Sequence, residues 1–220
     1  MCGLRISECK YTNFFTINLR VSEFVAIFAE IHPSLITRSM AVIYLIGYMG
    51  CGKTTLGRAL GHALGARFID LDDFVEQRAG MTVADIFAAR GEQGFRRLER
   101  EALEEVARTA GQADGQLTVV GCGGGTPCQP GLMDIMLASG LTVFLQTPVW
   151  RLAERLAAAQ AKRPLIASLA PDELPAFIET ALASRMEHYR RAEAVFDSTC
   201  LEDEAQIEAS VNKFRKQFDL

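Results

Sequence analysis

The segment Gly47-Tyr48-Met49-Gly50-Cys51-Gly52-Lys53-Thr54-Thr55 limits what this chain can fold into more than any other. It matches G-x-x-x-x-G-K-[ST] and sits in the context that pattern requires. A β-branched and aromatic run, Val42-Ile43-Tyr44-Leu45-Ile46, enters it, and a helical pattern from Thr55 through Leu64 leaves it. Strand, glycine-rich turn and helix N-terminus together make a phosphate cradle. The glycines, Gly50 and Gly52 among them, let successive backbone N–H groups turn toward one anion, and the helix start adds partial positive charge. Lys53 is expected to reach the β- and γ-phosphates, and the Thr54 hydroxyl to ligate Mg²⁺. The chain is thus expected to handle a nucleoside triphosphate, and the open question is what receives the phosphate.

At 220 residues one domain is the default. A net charge of −4 with scattered basic residues gives no support for a nucleic-acid surface. The chain has six cysteines without a C-x-x-C pair and three histidines, which argues against a structural metal site or a disulfide framework and for a reducing, cytoplasmic setting. No stretch approaches the roughly 20 apolar residues of a membrane span. Residues 1–39 lack a continuous apolar core after a basic start, so they do not read as a secretory signal. They read as a poorly ordered extension or an over-long start before Met40, with a short packed helix as the alternative.

From Met40 onward strand and helix patterns alternate, which predicts βαβ units around a parallel sheet. Strands are expected at 42–46, 67–70, 117–120, 141–145 and 195–196. Helices are expected at about 53–64, from Asp72 and Asp73 onward, at about 94–109, from Thr147-Pro148 to about 160, at about 172–189, and through Ile207, Val211, Phe214 and Phe218 at the end. Thr82 and Asp85 resemble a capping box. In the 94–109 helix Phe95, Leu98, Ala102 and Val106 form one apolar stripe, placing Arg96, Glu99 and Arg100 on other faces. Residues 111–116 and 161–170 read as loops.

Several residues carry candidate chemistry. Asp70 and Asp72 emerge at the carboxyl end of the second strand, where open parallel sheets bind ligands. One can hold Mg²⁺ through water and the other can orient a hydroxyl toward the γ-phosphate; the alternative is a helix N-terminal pair with no ligand, and Asp73 reads as a cap. Arg96 and Glu99, three apart, can pair across a helical turn and hold a guanidinium fork for an anion. The run Gly123-Gly124-Gly125 exceeds what a turn needs and suggests close approach of a ligand to backbone. Cys122 and Cys128 read as packing residues. Arg163, in a loop before Pro164, is placed to swing over the phosphates. Arg155 is a candidate for stacking on a base and Arg185 a second candidate for the acceptor anion, with ordinary surface arginines as the alternative for both.

These residues, taken together, resemble the shikimate kinase family. The match runs from Met40 to near the C-terminus, through the phosphate loop, Phe68-Ile69-Asp70-Leu71-Asp72, Gly91-Glu92-Gln93-Gly94-Phe95-Arg96-Arg97-Leu98-Glu99, Gly123-Gly124-Gly125, Arg163-Pro164-Leu165 and the helix carrying Arg185, Tyr189 and Arg190. The phosphate loop alone would not separate this family from adenylate or gluconate kinases.

The resemblance implies a three-layer α/β P-loop kinase fold: a five-stranded parallel sheet with helices on both faces, plus substrate-binding segments and a lid at about 160–171, all within 40–220. It implies phosphorylation of the 3-hydroxyl of shikimate by ATP with Mg²⁺, in the biosynthesis of chorismate and aromatic amino acids, by a cytoplasmic monomer. A gluconate-type kinase is the alternative. Residue by residue, Asp72 would bind the acceptor hydroxyls and serve as positioning group or base. Lys53 and Arg163 would stabilise transferring charge. Gly50, Cys51, Gly52, Lys53, Thr54, Thr55, Arg155 and Arg163 would hold ATP, with Arg155 against adenine. Thr54 and Asp70 would serve Mg²⁺. Arg96 and Arg185 would clamp the acceptor carboxylate, Glu99 would support Arg96, and Gly123, Gly124 and Gly125 would close around the acceptor. The sequence departs from the family at Cys51, where a small residue is usual, at Cys122, where a hydroxyl is common, in a longer 110–116 loop, and in the 39-residue leader.

Overall fold

The computed structural model describes residues 41–110, 116–160 and 165–220. Five parallel strands stand in the order β2-β3-β1-β4-β5: β1 Val42–Ile46, β2 Arg67–Asp70, β3 Thr118–Gly121, β4 Leu141–Gln146 and β5 Ala194–Asp197. β1 lies at the centre, between β3 and β4, and every residue of it is buried. That explains a near-continuous apolar run rather than an alternating one, because a parallel sheet is covered on both faces.

The alternation is still present in three dimensions. Val42, Tyr44 and Ile46 enter one core cluster; Ile43 and Leu45 enter the other. The first cluster is closed by helices α2 (Leu71–Ala79), α3 (Val83–Thr109) and α4 (Leu132–Ser139), together with Tyr189 of α6 (Leu174–Tyr189). The second is closed by α1 (Lys53–Leu64), α5 (Val149–Ala158), the start of α6 and α7 (Glu204–Phe218). On α1, a Cβ at Gly57 would come within 2.3 Å of the Phe68 ring, so this glycine is what lets the helix lie directly on the sheet.

The expected strands and the 53–64 helix are present, most ends falling within a residue of expectation. Four differences have local causes. The helix expected from Gly94 is joined at Gly91, whose φ of 66° and ψ of −177° are not helical, to a shorter helix that starts at Val83, capped as expected by Thr82 accepting from the Asp85 N–H. Pro148 is the N-cap of α5 rather than its first helical residue. Helix α4 and the 3-10 turn Thr126–Cys128 before it have no counterpart in the sequence reading: Gly131 caps α4 without a side-chain bond, so no polar signal marks its start. Glu99, expected away from the apolar stripe, is fully buried. Residues 1–39, the loop 111–115 and Arg163 with Lys162 and Pro164 lie outside the described residues.

Candidate active site

At the carboxyl ends of the strands the chain leaves β1, β2, β3 and β5 into the segments that line one cleft of about 570 Å³. Its wall includes Lys53, Thr54, Asp70, Asp72, Gly123 and Arg155. β1 leads into the phosphate loop, where Gly47, Gly50 and Gly52 hold φ values of 144°, 81° and 98°. Those angles are open to glycine and strained for any other residue, which is why the cradle needs glycines at these positions. Gly52 caps α1 without a side-chain bond, so the first N–H groups of the helix are left for an anion. The Lys53 ammonium folds over the loop, donating to Gly47 O at 2.8 Å and Tyr48 O at 3.0 Å. Thr55 also lines the cleft. Cys51 is buried, its Sγ 3.6 Å from Lys53 Nζ, and packs as a small residue.

β2 delivers the two carboxylates. Asp70 ends the strand and caps α2, accepting from the Asp72 N–H at 3.2 Å, while its other oxygen accepts from Thr54 Oγ1 at 2.8 Å. A hydroxyl and a carboxylate side by side next to the phosphate cradle form a donor set that suits Mg²⁺, which keeps most of its shell as water and phosphate oxygens. Asp72 lies deeper. Burial pushes its carboxyl up to about 6; the charges of Asp70 and Glu99 add to the rise, and Lys53 and Arg96 oppose it. A carboxylate so placed accepts a proton near neutral pH more readily than an exposed one.

β3 ends at Gly121 and leads through buried Cys122 to the glycine run. Each glycine stands close against a different neighbour. A Cβ at Gly123 would stand 2.9 Å from Thr126 Oγ1, 3.1 Å from Glu99 Oε1 and 3.2 Å from Asp72 Oδ1. One at Gly124 would stand 3.2 Å from Arg185 Nη1 and 3.5 Å from Gly47 O of the phosphate loop. One at Gly125 would stand 3.0 Å from Arg96 Nη2. The run is the seam where the phosphate loop, both arginines, half-buried Asp72 and buried Glu99 meet. Arg96 and Arg185 do not line the cleft themselves; each stands against this run.

The Arg96–Glu99 pairing expected from spacing is present at 2.9 Å, and Arg96 also donates to exposed Glu92. Arg185 lies over the Tyr48 ring, 5.3 Å from its centroid. Arg155 donates to Gly50 O at 3.1 Å, to Ser198 O and Thr199 O, and to Glu202 at 2.8 Å. It therefore braces the phosphate loop against the loop that follows β5, a role the sequence reading does not contain. Cys122 is inert: burial pushes its thiol far up, and its Sγ contacts Met136 Sδ at 3.6 Å.

Sequence reasoning misses four residues. Tyr48 occupies a variable position of the loop pattern yet supports Arg185. Tyr189 donates from its hydroxyl to Gly124 O at 2.7 Å, and its four-residue spacing from Arg185 was the available signal. Glu202, in an acidic run before α7, is 47 residues from its partner Arg155, and no sequence pattern links them. Thr126 carries no sequence signal.

The shikimate kinase family model matches residues 49–218. A shikimate kinase of Phocaeicola vulgatus is 46% identical over 180 residues, 82% of this chain and 99% of that protein. The crystal structure of the shikimate kinase from Bacteroides thetaiotaomicron is 42% identical and superposes with a TM-score of 0.75 over 81% of this chain and 98% of its own. A shikimate kinase from Acinetobacter baumannii, solved in complex with shikimate, is 29% identical with a TM-score of 0.68, over 85% of this chain and 98% of its own. A phosphate loop at β1, a carboxylate pair at β2 and a glycine seam at β3 thus coincide with matches over most of the chain, and the chain belongs to the shikimate kinase family.

Proposed function

We propose that this chain transfers the γ-phosphoryl group of ATP to the 3-hydroxyl of shikimate, giving 3-phosphoshikimate and ADP. The observation that carries the reading is the glycine seam: beside the triphosphate cradle it gathers the half-buried Asp72 carboxylate and the guanidiniums of Arg96 and Arg185. A small acceptor with one carboxylate and ring hydroxyls matches that set of groups.

The phosphate loop N–H groups and Lys53 hold the donor phosphates. Asp72 accepts a hydrogen bond from the attacking hydroxyl and takes its proton as the new O–P bond forms. The bond from the γ-phosphorus to the bridging oxygen breaks, and the electron pair leaves on ADP. Arg96 and Arg185 hold the acceptor carboxylate, and the backbone of Gly123, Gly124 and Gly125 closes around the ring. Arg155 lies against the adenine. Arg163, in a lid at about 160–171, meets the transferred phosphoryl and excludes water. Thr54 and Asp70 would hold Mg²⁺, which when bound neutralises charge on the β- and γ-phosphates.

In this reading residues 40–220 are the kinase domain, residues 1–39 are an extension outside it, and the enzyme is a cytoplasmic monomer. No helix among the described residues is long and apolar enough to cross a membrane. A coupled ADP-release assay tests the function: ADP formation should depend strongly on shikimate. No stimulation by shikimate together with turnover on gluconate or AMP would overturn it.

A further inference from the structure

A carboxylate removed from water has to have both oxygens partnered. Glu99 is 0% exposed and meets this requirement from two sides. Arg96 Nη1 donates to Oε2 at 2.9 Å, and Thr126 Oγ1 donates to Oε1 at 2.5 Å. Thr126 is itself 0% exposed, on the 3-10 turn directly after the glycine run, and its N–H donates to Gly123 O at 3.1 Å. The other bonds of the Arg96 guanidinium, to Glu92 at 3.3 and 3.4 Å, are longer and go to a side chain that is 68% exposed. The rigid side of the Arg96 setting is therefore Glu99, and the rigid side of Glu99 is Thr126.

We propose that Thr126 is a positioning residue for acceptor recognition: its hydroxyl fixes the Glu99 carboxylate, and Glu99 aims the Arg96 guanidinium at the carboxylate of the acceptor. This rests on the reading of Arg96 as a carboxylate clamp. The glycine seam makes the hydroxyl hard to replace, because Gly123 has no side chain and a Cβ there would crowd both Thr126 Oγ1 and Glu99 Oε1. Loss of the hydroxyl leaves Oε1 without a partner in a dry site, and the carboxylate then turns or draws in water. Either response moves Arg96. Thr126 touches no reacting atom, so its removal acts on acceptor binding and leaves the donor side alone.

The test is steady-state kinetics with shikimate and ATP varied separately in the wild type, Thr126→Val and Thr126→Ser. Valine keeps the shape and deletes the hydroxyl; serine keeps the hydroxyl. Thr126→Val should raise KM for shikimate about tenfold, with kcat and KM for ATP within about twofold of wild type, and Thr126→Ser should stay within about twofold throughout. The methyl ester of shikimate, which lacks the anion, should be used equally by wild type and Thr126→Val. An unchanged shikimate KM in Thr126→Val, or an equal rise in both KM values, overturns the proposal. If the valine variant shows no cooperative melt, Thr126→Ala carries the same comparison, and a wild-type shikimate KM in that variant overturns it equally. Wild type inactive on shikimate refutes the proposed function; wild type active on shikimate with an unshifted Thr126→Val refutes the positioning role alone.

Discussion

The two halves of the cleft are made of different materials. The donor half is backbone: three positive-φ glycines, an uncapped helix start, and a lysine held by carbonyls of its own loop. The proposed acceptor half is side chains: Asp72 from α2 in the cleft wall, and behind the glycine run Arg96 and Glu99 from α3, Thr126 from the turn after β3 and Arg185 from α6. Backbone N–H groups bind any polyphosphate of the right spacing and store little electrostatic tension. The acceptor half instead buries charges against one another, which raises the Asp72 pKa and leaves Glu99 dependent on two partners. Donor recognition by glycine backbone thus comes at small cost to the fold, whereas acceptor recognition rests on charges that burden it: Asp72 is costly when ionised, and Glu99 becomes costly when either of its partners is removed.

Asp72→Asn breaks this comparison hardest. Loss of the base should lower kcat by about 10²–10⁴, with KM for ATP little changed; an equal loss in both would make Asp72 a fold residue only. Its effect on stability should run the other way. The folded-state pKa of about 6 lies above the ordinary value of 3.8, so between those values the folded protein binds more protons than the unfolded chain, and stability falls as pH rises through that window. At pH 7 the ionised Asp72 costs up to about 3 kcal/mol. Asp72→Asn should therefore melt higher than wild type at pH 7, and the gain should vanish below about pH 4. In the wild type kcat/KM for shikimate should fall along an acid limb near pH 6. Thermal melts and a pH–rate profile check both.

Lys53→Met should lower kcat by about 10²–10³ and change the melting temperature less than Arg96→Ala does, because the groups Lys53 leaves behind are the neutral carbonyls of Gly47 and Tyr48 rather than a buried charge. Arg96→Ala should do both kinds of damage. KM for shikimate should rise on the order of a hundredfold, and stability should fall by about 3 kcal/mol because Glu99 stays buried without its cation. Adding Glu99→Gln should recover stability but not shikimate binding; recovery of both would break the distinction between the halves. At the small end, Cys51→Ala should leave kcat and both KM values within about twofold of wild type, since the thiol acts as a small packing group in a loop whose function lies in its backbone.

The same division decides what could be read in the sequence. The phosphate cradle of the donor half occupies consecutive residues, 47–55, so a linear pattern with its flanking strand and helix contains it. In the acceptor half the groups were visible but their setting was not. Arg96 and Glu99 pair as their spacing predicts, yet Glu99 reads as a polar-face residue and is buried, with Gly123 and Thr126 against its carboxylate. The glycine run was legible as an anomaly; that each glycine answers to a different neighbour is a tertiary fact. Arg155 reads as a candidate for stacking on a base, and its bracing role is hidden because its partners, Gly50, Ser198, Thr199 and Glu202, are far away in sequence. Helix α4 was missed because eight residues capped by glycine offer neither a polar cap nor enough turns for a period.

The most direct measurement is the identity of the product. Wild-type protein incubated with ATP, Mg²⁺ and shikimate should yield one phosphomonoester whose phosphorus resonance couples to the ring proton at C3, in amount equal to the ADP formed. Phosphate on another hydroxyl, or ADP accompanied only by inorganic phosphate, would contradict the account.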